Sequence, residues 1–405
     1  MKVLILTADS NGGYPVPAVK GGAVSTLIEH LVAGNNEKHL CDMEIVSFYD
    51  PQAEKKAREK YKNISFHWIK VPGVLKLLDK CVFDFVRFFK KSEKAISFCS
   101  LFSLLYYIHK AKIIVNKSDA DKVVIENNIP LARVMKGSKF KGQWYYHFHN
   151  VPRIDAGCRD EFQRVTKFLC VSQFVVNQIT GENSAIGRID PKKTAVLLNC
   201  VDTNLFKHID RNHEKIKALK LKYGIKDDDK LIIFAGRLSK EKGADILLRA
   251  AQDLPTNVKI LIVGSLFSSL NVKDEFQERL LLLSKKLKNR VIFTGYVNQK
   301  ELPFYYNMSD IAVLPSMWDE PAGLTNLEAM ACEVPVITTL SGGIPEYAKG
   351  AIMLDRNESI IEKIRKNIVG IINGEYLYDV SIPLNNARNN AKNLYIDKFI
   401  EMISY

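Results

Sequence analysis

The stretch "LIIFAGRLSKEKGADILLRAA", residues 231–251, contains one complete unit of an α/β fold. An apolar run ends at Gly236, a basic loop follows, and a helical pattern begins at about Gly243. A strand that is apolar on both faces is typical of a parallel sheet covered by helices. The stretch therefore predicts a strand, a loop and a helix, with Arg237 and Lys242 on the loop at the carboxyl end of the strand.

Similar units lie on both sides of this stretch, because apolar runs of strand length alternate with helical patterns along the chain. The other predicted strands are 2–8, 43–48, 64–70, 122–126, 143–149, 168–172, 194–199, 259–264, 291–296, 311–316, 335–339 and 351–354. Alternation of this kind implies right-handed crossovers and doubly wound sheets. We therefore expect an α/β fold with two Rossmann-like domains.

The length of 405 residues exceeds one ordinary hydrophobic core, which also favours two domains. A polar connection, "NCVDTNLFKHIDRNHEK", follows the predicted strand that ends at Asn199. We place an N-terminal domain at 1–200 and a C-terminal domain at 201–382. The remaining segment, about 383–405, is helical by pattern and could pack on either half, the N-terminal domain included.

The composition is typical of a cytoplasmic protein. Seven cysteines are scattered without any C-x-x-C spacing, which indicates reduced thiols and neither a disulfide framework nor a zinc site. The N-terminus lacks the long apolar region of a signal peptide. The longest weakly polar run, 95–108, has 14 residues, whereas a membrane-spanning helix needs about 20. We expect no transmembrane helix.

Positive charge is concentrated in residues 51–150, which contain 20 Lys and Arg against eight Asp and Glu. Such a field favours an anionic surface, either phospholipid headgroups or a polyanion, although a solvated lysine-rich face explains it equally. Within this region, segment 76–98 interleaves phenylalanines with lysines and arginines. As a helix it could lie on an anionic bilayer at the inner face of the cell membrane, or it could be a core helix with lysines at its margin.

Two glutamates in "EPAGLTNLEAMACEVPVI", residues 320–337, flank the start of a predicted helix. Glu320 lies on the loop before the helix, and Glu328 lies one turn inside it. The N–H groups near Gly323 would be free to bind a phosphate at the helix N-terminus. The alternative is that Glu320 caps the helix and Glu328 lies on its surface.

Three other motifs contain residue types that occur at ligand or metal sites. The loop "DSNGGYPVPAVKGG" has paired glycines but not the G-x-G-x-x-G spacing of NAD or FAD binders. In "YYHFHN", His147 and His149 share one strand face, and one of them could enter an interdomain cleft; no carboxylate or cysteine at a useful spacing completes a metal site. The acidic clusters at 118–121 and 227–229 are interpreted as solvated turns.

In combination, these motifs resemble those of the retaining glycosyltransferases of family 4, which have the GT-B fold of two Rossmann-like domains facing across a cleft. "GRLSKEKG" is similar to the family's G-R-L-x-x-x-K-G signature. "EPAGLTNLEAMACEVPVI" is similar to its E-x7-E motif and the run that follows, and "NCVDTNLF" to its linker motif. The chain departs from the pattern where Cys200 and Glu333 replace glycine and where Ala322 replaces phenylalanine.

The resemblance implies the roles of individual residues. Arg237 and Lys242, after Gly236, would neutralise a nucleotide diphosphate, Glu328 would bind ribose hydroxyls, and Glu320 would contact the transferred sugar. Further donor contacts are implied for Tyr296, Val297, Ala322, Gly323, Leu324 and Thr325. Gly22 would lie close to the diphosphate, and His149 near the reactive end of the sugar.

The function implied by the resemblance is transfer of a sugar, with retention, from a nucleotide-sugar to a saccharide acceptor. UDP is the expected carrier, no metal or other cofactor is expected, and the expected acceptor is lipid-linked, as in capsule, exopolysaccharide or cell-wall glycan synthesis. One alternative is a GT-B nucleotide-sugar epimerase, which needs extra acid–base groups near the sugar. Another is a basic nucleic-acid-binding protein, which would explain the charge of 51–150 but not the charged residues at the strand ends. We therefore expect no nucleic-acid partner.

Overall fold

The computed structural model describes residues 1–8, 14–20, 22–89, 100–264 and 275–404, with the backbone alone for residues 87–89. The chain divides into an N-terminal unit, Met1–Asn199 with Lys392–Tyr405, and a C-terminal unit, Cys200–Ala391. Each unit contains one parallel sheet flanked by helices.

The N-terminal unit has a seven-stranded parallel sheet in the order β3-β2-β1-β4-β5-β6-β7. The strands are β1 (Lys2–Thr7), β2 (Asp42–Phe48), β3 (Ile64–Ile69), β4 (Lys122–Glu126), β5 (Gln143–Phe148), β6 (Lys167–Cys170) and β7 (Thr194–Val196). The α-helices in the described part of residues 1–199 are α1 (Ala23–Lys38), α2 (Pro51–Lys60), α3 (Gly73–Phe89), α4 (Leu101–Lys117), α5 (Arg159–Gln163) and α6 (Gln173–Thr180). The strand order reverses between β1 and β4, so their carboxyl ends border the crevice where doubly wound sheets bind ligands.

The C-terminal unit has a six-stranded parallel sheet in the order β10-β9-β8-β11-β12-β13. The strands are β8 (Lys230–Ala235), β9 (Val258–Val263), β10 (Val291–Gly295), β11 (Ile311–Leu314), β12 (Val336–Thr339) and β13 (Ile352–Leu354). The helices are α7 (Glu214–Lys222), α8 (Ala244–Ala250), α9 (Glu275–Lys286), α10 (Leu302–Asn307), α11 (Leu324–Ala331), α12 (Ile344–Tyr347), α13 (Ile360–Ile372) and α14 (Ser381–Asn389). Its order reverses between β8 and β11, which places the loops after these strands at the second crevice.

The strands form where the sequence predicts them, because their central residues are apolar and buried on both faces. Val3 to Leu6 in β1 and Ile232 to Phe234 in β8 are at most 1% exposed. The α/β doubly wound fold class is thus confirmed. Several strands end earlier than predicted; the predicted 311–316 ends at Leu314 because Pro315 has no N–H for the ladder.

The C-terminal segment differs from the prediction of one helical stretch over 383–405. Helix α14 ends in the C-terminal unit, and a separate helix, α15 (Lys392–Ser404), belongs to the N-terminal unit. The break falls where the Val201 N–H donates to the Asn390 carbonyl at 2.9 Å and Ala391 pairs with Val201. The prediction of a single helix was wrong because the Asn390 carbonyl accepts from Val201. In a continuous helix that carbonyl would accept from an N–H of the next helical turn.

Helix α15 is anchored in the N-terminal unit by side chains of the sheet. The Tyr145 hydroxyl donates to the Ile403 carbonyl at 3.0 Å, and the Lys122 ammonium donates to the same carbonyl. On its other side α15 packs on α1 so closely that a Cβ at Gly34 would lie 2.7 Å from Ile396. The last helix therefore completes the core of the unit in which the chain begins.

Candidate active site

The loop after β8 places Lys242 beside the carboxyl end of β11. The loop ends at Gly243, which has φ +72° and whose added Cβ would lie 2.1 Å from the Pro315 carbonyl oxygen. The Met317 N–H donates to the Glu241 carbonyl at 2.7 Å. Only glycine fits this approach, so the two loops at the crevice are held together as one surface.

Glu320 lies on the second of these loops and is 7% exposed. Its carboxylate accepts a hydrogen bond from Ser316 Oγ at 2.8 Å and forms an ion pair with the Lys242 ammonium. Its main chain is held as well, because the Gly343 N–H donates to the Glu320 carbonyl at 2.7 Å. Lys242 and Glu320, predicted separately from the sequence, are therefore direct partners here.

Gly342 allows the loop after β12 to approach Glu320. The residue has φ +54°, and an added Cβ would lie 2.3 Å from the Glu320 carbonyl oxygen and 2.7 Å from its nitrogen. Gly342, Gly343 and Ser316 were not among the site residues predicted from the sequence. The glycine pair in "SGGIPE" follows a predicted strand, which is the signal that could have found it.

Helix α11 begins at Leu324, as predicted, and its N-terminus lies between the two glutamates along the chain. Gly323 precedes it, and a Cβ there would lie 2.7 Å from Asn326 Nδ2. Asn326 is 2% exposed and its Oδ1 has no hydrogen-bond partner among the described residues. The N–H groups of Leu324 and Thr325, in the first turn, have no carbonyl partner within the helix and form a ready anion site.

Glu328 lies one turn into α11 and faces a different environment. The Tyr306 hydroxyl donates to Glu328 Oε2 at 3.4 Å. Burial raises the pKa of Glu328 to about 7, against hydrogen bonds from Tyr306 and Gln299 that lower it. Glu328 thus has neutral donors for neighbours, whereas Glu320 has a cation. Glu328 is only partly exposed, and the N-cap residue of α11 is Gly323 with no side-chain cap, so neither part of the alternative interpretation holds.

The remaining predicted donor residues lie at the same edge of the sheet. Gly236 and Arg237 directly follow β8, and the Arg237 side chain is exposed and forms no ion pair within the described part of the chain. Tyr296 and Val297 directly follow β10, and Tyr296 is 75% exposed. Gln299, in the same loop as Tyr296, contacts Glu328 as Tyr306 does. Ala322 is partly buried before α11.

In the N-terminal unit, a buried carboxylate lies beside the two predicted histidines. His149 Nε2 is 2.9 Å from Glu126 Oε2, and His147 Nδ1 is 3.0 Å from the same oxygen. Ligand atoms of the three residues lie within 4.8 Å of one another, so the group could hold a metal ion. The expectation that no carboxylate accompanies the histidines was wrong. Glu126 is distant in sequence but ends β4, which pairs with β5 in the sheet.

The protonation states of this cluster follow from burial and mutual contact. Burial alone would raise the pKa of Glu126, but the two neighbouring imidazoles lower it to about 2. Burial and the His147 ring lower the pKa of His149 to about 4. At neutral pH the cluster therefore contains an ionised carboxylate that accepts a hydrogen bond from a neutral His149, whose Nδ1 has no partner in the described structure.

The described part of the predicted glycine loop and the two acidic clusters lie next to the ends of helices and strands. Gly22, with φ +99°, directly precedes α1; the remaining glycines of that loop, Gly12, Gly13 and Gly21, lie outside the described residues. Asp121 accepts from the Lys2 N–H at 2.7 Å, and Asp229 forms an ion pair with Lys259 at 2.7 Å. These acidic clusters lie at the amino ends of β4 and β8, away from the crevices.

Comparison with known proteins agrees with this geometry. Residues 215–368 match the family "Glycosyl transferases group 1". The matched region contains every donor-site residue described above in the C-terminal unit, from Gly236 to Gly343.

Sequence similarity to known proteins extends beyond residues 215–368. The chain is 26% identical to the putative glycosyltransferase YtcC of Bacillus subtilis over 349 residues, which cover 83% of this chain and 74% of that protein. It is 23% identical to the lipopolysaccharide 1,2-N-acetylglucosaminetransferase of Salmonella typhimurium, over 69% of this chain and 71% of that protein. The crystal structure of Anabaena Alr3699/HepE in complex with UDP and glucose matches with a TM-score of 0.71 at 18% identity, covering 100% and 99% of the two chains. With the two parallel sheets, this match confirms the GT-B fold class.

No helix in the described ranges has both the length and the apolar character needed to cross a membrane.

Proposed function

We propose that the chain is a retaining glycosyltransferase that moves a sugar from a UDP-sugar to a hydroxyl of a saccharide acceptor. The observation that carries the proposal is the Lys242–Glu320 pair beside the N-terminus of α11, within the region that matches the group 1 family. A cation, a carboxylate and free helix N–H groups at one crevice match the phosphate and the hydroxyls of a nucleotide-sugar. The Anabaena structure, with UDP and glucose bound, supports UDP as the carrier.

The proposed donor contacts assign one task to each side chain. Lys242 and Arg237 neutralise the diphosphate together with the first turn of α11. Glu320, fixed by Ser316 and the Gly343 N–H, accepts hydrogen bonds from sugar hydroxyls, and Glu328 accepts them from the ribose. Tyr296 and Val297 lie beside the base. On binding, the diphosphate shares the Lys242 ammonium with Glu320.

The chemistry proposed for this site is charge stabilisation. As the bond from the sugar to the phosphate breaks, the leaving UDP gains negative charge, and preorganised cations and N–H groups stabilise it. The acceptor oxygen bonds to the anomeric carbon on the same face, and its proton passes to the departing phosphate oxygen. Lys242 and Arg237 supply positive charge, so we propose that transfer requires no metal. His149 near the reactive carbon and Gly22 near the diphosphate stay predictions from the family resemblance.

The proposed setting is polysaccharide synthesis on a lipid-linked acceptor at the inner face of the cell membrane. The similarity to a lipopolysaccharide sugar transferase supports this setting, as does the basic first half of the chain. Capsule, exopolysaccharide and cell-wall glycan all fit a donor site of this kind.

The first experiment is thermal stabilisation by UDP, GDP, ADP, CMP and NAD in the presence of EDTA. Binding at 100 times Kd adds about 2.7 kcal/mol to the free energy of unfolding, which is easily measured. We expect a shift with UDP that Lys242→Ala abolishes and that Lys240→Ala, an exposed neighbour in the same turn, leaves intact. A shift that appears only after a divalent metal is added would contradict metal independence, and absence of any shift would contradict the donor site.

Sugar transfer and retention of configuration are tested on the product of the reaction. We expect UDP release from a UDP-sugar to depend on an added saccharide acceptor, and NMR of the product to show the anomeric configuration of the donor. An inverted product would contradict the retaining mechanism. Conversion of the UDP-sugar to its epimer without an acceptor would instead identify the protein as an epimerase.

A further inference from the structure

The cluster of Glu126, His147 and His149 contains more ligand groups than the proposed donor chemistry uses, because that chemistry gives no task to Glu126 or His147. The three residues are 1%, 0% and 6% exposed, so solvent hardly reaches them. One ligand atom from each lies within 4.8 Å of the others. Two imidazoles and a carboxylate at such distances form a set of ligands for a single metal ion.

Hydrogen bonds within the described structure do not account for this cluster. Glu126 Oε1, both ring nitrogens of His147 and Nδ1 of His149 have no hydrogen-bond partner there. His147 Nδ1 is 3.0 Å from Glu126 Oε2, but the contact lacks the direction of a hydrogen bond. A histidine that only fills a core normally has its N–H paired, because an unpaired buried donor costs free energy. The His147 ring therefore has unused capacity to bind a ligand.

The backbone fixes the three side chains on the same side of the sheet. Glu126 is the last residue of β4 and lies opposite His147 in the register with β5. The Asn127 N–H donates to the His147 carbonyl at 2.9 Å, and Asn127 Oδ1 accepts from the His149 N–H at 2.9 Å. The two imidazole centroids are 4.1 Å apart. Ligands on rigid strand ends are already ordered before an ion binds.

The types of ligand indicate which metals fit. Imidazole nitrogen and carboxylate oxygen together are typical ligands of Zn²⁺, whereas Mg²⁺ and Ca²⁺ prefer oxygen alone. Zinc binds such atoms at about 2.0–2.2 Å, so neighbouring ligand atoms of a tetrahedral site are about 3.3 Å apart. Glu126 Oε2 is now 3.0 Å from His147 Nδ1 and 2.9 Å from His149 Nε2. A shift of about 0.3–0.4 Å in the carboxylate would therefore suit zinc.

A cavity next to Glu126 supplies a route for the ion. It has a volume of about 530 Å³, lies at the carboxyl ends of β1 and β4, and has Glu126 in its wall. Three protein ligands leave one position of a four-coordinate ion open, and water fills that position in zinc sites of this kind. An ion that enters through the cavity can thus keep one of its water molecules on the cavity side.

We propose that Glu126, His147 and His149 bind a Zn²⁺ ion, with water from the cavity as the fourth ligand. The ion binds the folded N-terminal unit and so stabilises it. The inference does not rest on the proposed function, because it needs neither nucleotide nor transfer. The Lys242–Glu320 pair belongs to the C-terminal unit, so a zinc ion here is compatible with sugar transfer that requires no metal.

Cobalt, which replaces zinc and absorbs visible light, tests the ligands. In metal-free protein without nucleotide, we expect one Co²⁺ per chain to give the strong absorption of four- or five-coordinate cobalt, and one Zn²⁺ to abolish it. Loss of an outer partner of a ligand costs about 10–100-fold in affinity, so Glu126→Gln and His147→Gln should each cost about 100-fold or more. His67→Gln is the matched control, because His67 also pairs with a strand carboxylate, Glu44, at 2.8 Å. It should bind cobalt as the parent does.

Two results of the cobalt titration would overturn the proposal. One is no absorption with the parent, or equal absorption with the parent and the cluster variants. The other is a strong thiolate-to-cobalt band in the near ultraviolet, which would place the ion on a cysteine such as the exposed Cys81. Circular dichroism of each variant checks that it folds.

NMR of the parent labelled with ¹⁵N-histidine tests the site without any variant. The chain has eight histidines, and we expect the ring signals of two of them to change with one equivalent of Zn²⁺ and none with Mg²⁺. Changes spread over the exposed histidines would show adsorption at the surface and would overturn the proposal. The UDP shift in EDTA tests the donor site alone, so failure of one site is distinguished from failure of the other.

Discussion

At the scale of single residues, the two glutamates of the candidate site differ in what neutralises them. Glu320 has the Lys242 ammonium, whereas the partners of Glu328 in the described part of the chain are the neutral donors Tyr306 and Gln299. Burial therefore raises the pKa of Glu328 to about 7, and the ionised form that would bind ribose hydroxyls is incompletely populated at neutral pH. Binding sites often contain a titratable group whose pKa is already shifted before the ligand binds.

This environment predicts a pH dependence of UDP binding. The ionised carboxylate accepts the ribose hydroxyls, so affinity should be full above about pH 8 and fall as the pH drops through about 7. Glu328→Gln should lose at least tenfold in affinity at high pH and show a flatter profile. Calorimetric titration across this range checks the expectation, with Glu362→Gln on α13, an exposed position, as control. An unchanged affinity in Glu328→Gln would contradict the ribose contact.

The raised pKa of Glu328 predicts the opposite pH dependence for the stability of the protein without ligand. A carboxyl whose folded pKa is raised contributes stability that is fully present below its unfolded pKa, near 4.5, and is lost as pH rises through about 7. Glu328→Gln is neutral throughout, so at about pH 8 we expect it to be more stable than the parent by on the order of 1–3 kcal/mol. Thermal unfolding without ligand at pH 5 and pH 8 measures this; a gain of equal size at both values would refute the assignment to titration.

At the scale of elements, the loop after β12 positions Glu320 through glycine. Gly342→Ala would place a Cβ 2.3 Å from the Glu320 carbonyl oxygen at a residue with positive φ. We expect a loss of about 2–4 kcal/mol in stability and of most UDP binding. Gly374→Ala is the matched control, because it has φ +72° and open space around the added Cβ. Gly374→Ala should lose only about 1 kcal/mol of stability, which is the cost of the backbone strain. A similar loss of stability in both variants would contradict the steric argument.

Helix α11 and its C-cap residue Cys332 are followed by Glu333, where the family pattern has glycine. Glu333 has φ +60°, and the Val334 N–H donates to the Ala329 carbonyl at 3.1 Å, as in a helix end closed by a left-handed residue. Glu333→Gly should therefore stabilise the protein by about 0.5–1 kcal/mol, since glycine adopts this conformation without strain. Urea unfolding of Glu333→Gly beside Glu333→Ala measures the effect. Equal stabilisation by alanine would show that the charge, and not the backbone, is responsible.

The positions of the elements were predictable from the sequence because buried parallel strands are continuous apolar runs. Glu320, Lys242 and the start of α11 were predictable too, since ligand sites in doubly wound sheets follow the strands. The proximity of Glu126 to His147 and His149 was not, because it depends on which strands are neighbours. The burial of Asp79 was not predictable either, and the pattern of α3 left open whether apolar residues such as Leu77 are buried in the core or exposed, as Leu77 is.

At the scale of the whole molecule, α15 joins the end of the chain to its beginning. Deleting residues 392–405 would remove the buried Tyr395, Ile396 and Phe399 and leave the Lys122 ammonium without its carbonyl partner. We expect the N-terminal unit to unfold at a much lower temperature or not to fold, while the C-terminal unit keeps its own core. Calorimetry should show that one unfolding transition is lost and that UDP still raises the temperature of the other. Loss of both would mean that the units do not fold independently.

The position of α15 also has a consequence for the order of events during translation. All residues of the C-terminal unit, Cys200–Ala391, have been synthesised before Lys392 is added. The N-terminal unit, whose first strand is made before any residue of the C-terminal unit, lacks its last helix until synthesis reaches Ser404. The unit that emerges first from the ribosome is therefore the last to have its complete sequence, and until then it exposes the surface of α1 that Ile396 covers.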